Sequence, residues 1–502
     1  MKKNQLTINL VTNMLSFAIN IGLTFVLTPY IVGKVGSEQY GFVALAYNMV
    51  NYVAIFTSAL NSMASRYISI AINSNNKDQA NIYFNSVLRA NTIIALVLLL
   101  PSTLLTVYVN KIFNVPTDII RDVQLTFGFV FINIILSLLG NVFSVAVFSK
   151  NRLELSSYRA IEGNIIKLAI TALLFFLFTP RIYYMTLAAI SATLYTVITN
   201  VYYTKKLLPE VKISLKVYSY SAIKILIKSG IWNTVNQLSD VLTSYLDLMI
   251  VNIFIGSALA GQYSLSKTIP SFIATLISSL LSVFISQLTL LYAQSKQAQL
   301  VDNINLSIKI VGLIVIIPIS FLVIFGDAFF TLWLPDENAG FLYLLSNLAI
   351  VPMIFTSSAI PINNVFTVTN KLKIPAIVLL INGLLNTAII FILLKTTTLG
   401  VFAIPLVSAG VGLVRNLCFI PVYAARCLDI KWWSLYPSIL KGVICAAVMM
   451  AICFAYKSLL SHNVSSWFEF ITAAVLCAGI SFIINIFILF SKRERMELLK
   501  GK

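Results

Sequence analysis

The 502-residue sequence predicts an all-α polytopic membrane protein, and two features of its composition support this fold class. Hydrophobic residues make up 59% of the chain and charged residues only 10%, whereas soluble domains carry about a quarter charged residues. Apolar stretches of about twenty residues recur along the chain, which is the length an α-helix needs to cross the hydrocarbon core. A helix satisfies its own backbone hydrogen bonds in lipid, so we predict a bundle of transmembrane helices.

Polar interruptions divide the chain into about 14 predicted transmembrane helices. Each boundary is placed where an apolar run meets charged or turn-forming residues. The predicted spans are 8–32, 42–65, 88–110, 122–148, 160–179, 183–204, 229–255, 263–293, 303–333, 340–369, 374–395, 400–425, 438–459 and 467–490.

The lysines and arginines predict how these helices are oriented. We assign 27 of the 35 to the side of the amino terminus, 6 to the opposite side and 2 to spans. The 27 include Arg159, just before the fifth predicted span, and Lys167, the eighth residue of that span; both are counted with the cytoplasmic loops. Cytoplasmic loops are rich in lysine and arginine, so both termini are predicted to be cytoplasmic. The net charge of +18 is then explained by topology and by contact with membrane lipids, and we expect no nucleic-acid partner.

An internal repeat predicts the domain organisation. An offset of 220 residues aligns Gly36 and Gly41 with Gly256 and Gly261, in the outward turn after the first span of each half. Glycine suits these turns if the backbone has a positive φ or if helices approach closely. Because the offset places span one over span seven in the same orientation, we predict two six-helix lobes related by a parallel repeat, followed by two C-terminal helices.

The predicted boundaries follow from this repeat and from one basic segment. They are an N-terminal lobe at 1–204, a cytoplasmic linker at 205–228, a C-terminal lobe at 229–425, and helices 13 and 14 with a basic tail at 426–502. Lysine pairs spaced i,i+4 in the linker favour an amphipathic helix on the inner leaflet, and a plain linker is the alternative.

Two segments resemble a known family of transporters. The run TPYIVGKVGSEQYGFVALAYNMVNY, followed by SALNSMASRYISIAI, resembles the start of polysaccharide-biosynthesis (Wzx-type) flippases of the multidrug/oligosaccharidyl-lipid/polysaccharide exporter superfamily, which is MATE-like. The run SYLDLMIVNIFIGSALAGQYSLSKTIP resembles the opening of their second lobe. The resemblance implies two lobes in a V shape around a central cavity lined mainly by spans one, two, seven and eight.

The resemblance also implies the cargo and the membrane. Such a flippase moves an undecaprenyl-pyrophosphate-linked oligosaccharide, an O-antigen or capsule repeat unit, across the bacterial cytoplasmic (inner) membrane. Polysaccharide polymerase machinery is an expected partner. A cation-coupled drug or lipid II exporter of the same superfamily is the alternative, and a membrane-embedded polymerase fits less well because the predicted outward loops are short.

Polar residues in the first and seventh spans are the first candidates for a substrate-binding cavity. Span one carries Asn13 and Asn20, and span seven carries Asn233 and Asn236, each pair within a polar stripe at helical spacing. Two matching stripes suggest facing walls of a hydrated cavity. The alternative is that these amides form hydrogen bonds between helices and hold the bundle together.

Charged residues within or beside spans are the second group of candidates. Arg66 ends span two and Lys267 lies one turn into span eight, where each would bind pyrophosphate oxygens or, alternatively, extend toward the membrane interface. Asp240 and Asp247 lie on one predicted face of span seven. An ionisable group in the membrane is costly unless it has a function, so we predict that they bind a monovalent coupling cation.

The sequence predicts neither an enzyme nor a cofactor. No P-loop pattern appears, so ATP hydrolysis by this chain is not expected. The five cysteines show no CxxC spacing, and His462 is the only histidine, so we expect no metal site.

Overall fold

A computed structural model describes residues 3–214, 216–459, 464–492 and 494–495. The side chains of 3–7, 9, 10, 13, 282, 283 and 286 lie outside that description, as does the whole of His462. The described residues form helices and connecting turns without a β-strand. The predicted all-α fold class is confirmed.

The chain forms two compact units, Met1–Gln262 and Tyr263–Lys502. The helices that begin in the first unit are α1 (Lys3–Val35), α2 (Ser37–Asn73), α3 (Lys77–Val107), α4 (Val109–Ile112), α5 (Ile120–Asn141), α6 (Val145–Ser149), α7 (Leu153–Leu177), α8 (Tyr183–Leu207), α9 (Tyr220–Asp240), α10 (Leu246–Phe254) and α11 (Ser257–Ser266). The lobe boundaries at 204 and 229 remain a prediction.

The second unit consists of nine further helices in the described part of the chain. They are α12 (Thr268–Ala293), α13 (Gln297–Trp333), α14 (Ala339–Thr356), α15 (Asn363–Val368), α16 (Lys373–Thr396), α17 (Ala403–Val414), α18 (Ile420–Cys427), α19 (Tyr436–Leu459) and α20 (Trp467–Leu489). The long α13 packs against α14, α19 and α20. Its aromatic side chains Phe321 and Phe329 pack on Phe470 of α20.

Thirteen helices of the described chain are long and apolar enough to cross a membrane. The remaining predicted span, the seventh, is formed by α9 and α10, which are joined by a π-helical turn at Val241–Tyr245. Its polar residues, Asn233, Asn236 and Asp240 among them, lower the hydropathy of the stretch below that of the other thirteen. The protein is therefore a multi-pass membrane protein.

Helix α7 corrects the charge assignment made from the sequence. The helix begins at Leu153, seven residues before the predicted span, so Arg159 is helical as well as Lys167, and neither lies in a loop. Lys167 is the fifteenth residue of α7, about 21 Å along the helix at 1.5 Å per residue. Two cations assigned to topology therefore lie within a membrane-spanning helix.

The segment between α8 and α9 also differs from the predicted amphipathic helix. Helix α8 ends at Leu207. The next residue, Leu208, precedes Pro209, and a residue before proline disfavours the α conformation. The described residues of 208–219 are not helical. Side chains of α3 replace the missing helical hydrogen bonds, because Asn81 accepts from the Lys212 amide at 2.7 Å and Asn85 accepts from the Ser214 amide at 2.7 Å.

The four glycines aligned by the 220-residue offset have the geometry expected from the sequence. Gly36 and Gly256 have φ values of 83° and 139°, a conformation that side chains disfavour. Gly41 and Gly261 contact each other directly, since a Cβ built on Gly41 would lie 2.6 Å from the Gly261 Cα. Equivalent positions of the repeat therefore meet at a close helix crossing.

Candidate functional site

Helix α9 is joined to α2 by a row of polar contacts in the first unit. The Thr234 hydroxyl lies 3.0 Å from the Ser58 hydroxyl and accepts from the Ala59 amide at 3.1 Å. One turn further along α2, the Ser62 hydroxyl accepts a hydrogen bond from the Asn233 side-chain amide at 2.9 Å. Small residues and hydroxyls at such a crossing allow two helix backbones to approach closely in lipid.

These contacts decide how the predicted residue Asn233 is used. Its amide forms a bond between helices, which is the alternative that the sequence left open. Asn236 is half-buried on the same helix. In span one, the side chain of Asn13 lies outside the described residues, whereas Asn20 is exposed on α1. Asn233 therefore contacts α2, whereas Asn20 lies elsewhere in the first unit, among the residues of the cavity described below.

The π-helical turn separates the two candidate aspartates. Asp240 immediately precedes the turn and is exposed, whereas Asp247 follows it and is only 4% exposed. A π-helical turn holds an extra residue, so the seven-residue spacing no longer returns to the same helix face. The prediction of one continuous face for both carboxylates is therefore wrong. The turn is fixed by α2, because the Tyr245 carbonyl accepts from Asn48 at 3.2 Å and from the Tyr52 hydroxyl at 2.9 Å.

The two predicted pyrophosphate ligands belong to different units. Arg66 lies in α2 of the first unit with an exposed side chain. Lys267 lies at the start of α12 in the second unit, is half-buried, and holds its Nζ 5.5 Å from the centre of the Tyr263 ring. Each cation is accessible within its own unit.

An open cavity of about 340 Å³ lies among α1, α5, α7 and α8 of the first unit. Its walls carry mainly amide and hydroxyl side chains. They include Asn20, Ser137, Asn141, Arg159, Asn164, Thr193, Thr196 and Asn200. The sequence prediction identified Asn20 and missed the other residues, because their helices carry no continuous polar stripe.

Arg159 is the charged residue of the described lining, and its side chain is fixed by neighbouring groups. The residue is 3% exposed. Its Nε donates to the Leu155 carbonyl at 2.8 Å, its Nη1 donates to the Asn200 side-chain oxygen, and its guanidinium carbon lies 4.2 Å from the centre of the Tyr203 ring. The second terminal nitrogen, Nη2, is buried and has no hydrogen-bond partner.

Lys167 is a second cation of α7. It lies eight residues beyond Arg159, with Gly163 midway between them. Its Nζ is 5.6 Å from the centre of the Tyr47 ring on α2.

Residues 6–289 match a family described as Polysaccharide biosynthesis protein. The match covers more than half of the chain. The chain belongs to this family. "Uncharacterized membrane protein EpsK" of Bacillus subtilis (strain 168) is 28% identical over 504 residues, which cover 98% of this chain and 97% of EpsK.

The fold of this protein is similar to the folds of two solved transporters. The lipid II flippase MurJ in an inward closed conformation has a TM-score of 0.70 at 11% identity, covering 95% of this chain and 97% of MurJ. An inward-facing multidrug resistance MATE family transporter of the MOP superfamily has a TM-score of 0.68 at 13% identity, covering 84% of this chain and 98% of that transporter. The predicted resemblance to a polysaccharide-biosynthesis family is confirmed by the family match, and the fold is the one that these two transporters have.

Proposed function

We propose that this member of the polysaccharide biosynthesis family flips an undecaprenyl-pyrophosphate-linked oligosaccharide, an O-antigen or capsule repeat unit, across the bacterial cytoplasmic membrane. The observation that carries the proposal is the open cavity of the first unit, which amide and hydroxyl side chains line and in whose wall Arg159 is buried. A sugar diphosphate cannot cross about 30 Å of hydrocarbon unassisted. Polar walls would receive the head group while the isoprenoid tail stays in lipid.

The chemistry of the proposed cargo agrees with the cations of each unit. Guanidinium and ammonium groups bind phosphate oxygens through charge-assisted hydrogen bonds. We propose Arg66 and Lys267 as diphosphate ligands, and Asn13, Asn20, Asn233 and Asn236 as contacts for sugar hydroxyls or for the helices that surround them. Both termini are proposed to be cytoplasmic, and the activity is transport without chemical conversion of the cargo. Polymerase machinery would take up the flipped unit.

Deletion of the gene is expected to stop surface polysaccharide while lipid-linked repeat units still form inside the cell. The reason is that the head group has no other route across the membrane at a useful rate. Lipid extraction with mass spectrometry measures the lipid-linked units, and an antibody or lectin measures surface polysaccharide. The control is the same strain carrying the wild-type gene on a plasmid. Unchanged surface polysaccharide in the deletion strain would contradict the proposed function.

The carboxylates of the seventh span are proposed to couple transport to a monovalent cation. Asp240 is exposed and Asp247 is buried on the far side of the π-helical turn, so the two positions have different access to ions. We expect Asp240→Asn combined with Asp247→Asn to abolish the dependence of flipping on an imposed ion gradient. Flipping in proteoliposomes with and without the gradient provides the measurement. If the double variant flips as fast as wild type and still responds to the gradient, the coupling proposal is wrong.

A lipid II exporter is the second candidate, and the similarity to MurJ over 95% of the chain favours it. Both cargoes carry a diphosphate on a polyprenyl tail, so the cationic groups serve either function. The deletion strain separates the two, because loss of lipid II transport blocks growth whereas loss of surface polysaccharide does not.

A further inference from the structure

The cavity around Arg159 has an electrostatic imbalance. It lies wholly inside the first unit, and its described lining contains one guanidinium and no carboxylate. Among the described residues, no carboxylate lies within ion-pair distance of Arg159. A buried cation without an anion is costly in a membrane protein and indicates a partner that the chain itself does not supply.

The geometry of the guanidinium leaves one terminal nitrogen without an acceptor. Nε and Nη1 are bound to neutral carbonyl oxygens of Leu155 and Asn200, which hold the plane of the group in place. Nη2 has no acceptor although it is buried. A guanidinium held in a fixed plane, with one terminal nitrogen unused and its residue lining the cavity, can donate to an anion that binds there.

The nearest acidic residue does not fill this role. Glu162 lies three residues along α7 and interacts electrostatically with Arg159. However, its carboxylate is exposed, is absent from the cavity lining, and accepts a hydrogen bond from the Tyr195 hydroxyl at 2.5 Å. Glu162 therefore attracts Arg159 electrostatically but does not form a hydrogen bond with its Nη2.

We propose that this cavity binds a diphosphate or similar phosphate-bearing oxyanion, with Arg159 as its charged ligand. Amide and hydroxyl side chains such as Asn20, Asn164 and Thr193 supply the neutral donors that the remaining phosphate oxygens require. A volume of about 340 Å³ is in the range of small-molecule sites and exceeds what a single water needs. One source of the anion is the head group of the proposed cargo, so this arm rests on the proposed function. A soluble anion is the other source.

The first test measures binding of inorganic pyrophosphate to the full-length protein in phosphatidylcholine nanodiscs by isothermal titration calorimetry. Arg159→Gln is expected to weaken binding about tenfold or more, because a charge-assisted hydrogen bond is lost. The matched control is Arg121→Gln, which removes the same charge from an exposed position of α5 outside the cavity. Equal affinity in the two variants would overturn the proposal.

A second variant protects the test against misfolding. Asn164→Leu leaves Arg159 in place and replaces one neutral donor of the cavity with an alkyl side chain, so pyrophosphate affinity is expected to fall several-fold. Thermal unfolding of each variant identifies any that misfold. If Arg159→Gln aggregates, Asn164→Leu decides: weaker binding supports the site, and wild-type affinity overturns it.

Competition distinguishes the two sources of the anion. Farnesyl diphosphate in the nanodisc is titrated against bound pyrophosphate. Displacement indicates a lipid-borne head group, and lack of displacement indicates a soluble anion; both outcomes support the shared chemistry provided that binding depends on Arg159. Binding that depends on Arg159, together with normal surface polysaccharide in the deletion strain, would overturn the proposed function and leave the site standing. Pyrophosphate binding that does not depend on Arg159, together with loss of surface polysaccharide in the deletion strain, would overturn the proposed site and leave the proposed function standing.

Discussion

Gly230→Ala is expected to destabilise the first unit strongly, by about 3 kcal/mol or more, because it inserts a methyl group where two helix backbones touch. A Cβ at Gly230 would lie 2.0 Å from the carbonyl oxygen of Ala59 in α2. The obstacle is backbone and not a flexible side chain, so only separation of α9 from α2 relieves the overlap. Separation would also break the hydrogen bonds that Thr234 and Asn233 make to α2.

Thermal unfolding of the purified protein, followed by size-exclusion chromatography, measures this effect. Gly22→Ala in α1 is the matched control, since nothing lies within 4 Å of the Cβ it would add. Alanine has a helix propensity about 1 kcal/mol better than glycine, so the control is expected to unfold at the wild-type temperature or slightly above it. If the two variants unfolded at the same temperature, the close contact between α2 and α9 would be contradicted.

Lys167→Met is expected to reduce transport about tenfold or more while the protein stays as stable as wild type. Lys167 is half-buried, and replacing its partly desolvated ammonium by an apolar side chain of similar length removes a desolvation cost, so stability is unchanged or improved. The proposed cargo carries a diphosphate that needs cationic contacts, and loss of one cation–phosphate contact of about 1.5 kcal/mol or more corresponds to at least a factor of ten. We therefore expect Lys167→Met to keep the wild-type unfolding temperature. A deletion strain that carries the Lys167→Met gene is expected to lack surface polysaccharide.

Lys111→Met provides the matched control for this prediction. Lys111 also lies over a tyrosine ring, with its Nζ 5.0 Å from the centre of Tyr108, but its side chain is exposed in the short helix α4. Its loss is expected to leave transport unchanged. Equal transport by the two variants would show that the Lys167 amine does not contact the cargo. A lower unfolding temperature in Lys167→Met would instead indicate a structural role.

The outline of the fold was predictable because lipid imposes simple length and polarity requirements. Apolar runs locate the spans, and the glycines of the outward turns identify the repeat, with the backbone conformation at Gly36 and Gly256 as expected. The seventh span shows the limit of this reasoning. Its hydropathy is lower than that of the other spans, and the polar breaks that flank 229–255 together with its position in the repeat were the signals that identified it.

The candidate site was less predictable, for two physical reasons. Positive charges near a helix end are ambiguous, since they suit a cytoplasmic loop as well as a buried site, and Arg159 and Lys167 were assigned to the loop. The π-helical turn at Val241–Tyr245 is the second reason. Helical periodicity places Asp240 and Asp247 on one face, but a wider turn shifts the second residue, and its occurrence depends on tertiary contacts from Asn48 and Tyr52.

The contact between Gly41 and Gly261 has a consequence for genetics. An overlap between two side chains can be relieved by shrinking the partner, and this is how second-site suppressors usually arise in a packed interface. Here the two positions that meet are already the smallest residue, so a larger side chain at one of them leaves no reduction available at the other. Selection for revertants of Gly41→Val would recover glycine at that codon far more often than a compensating change at position 261.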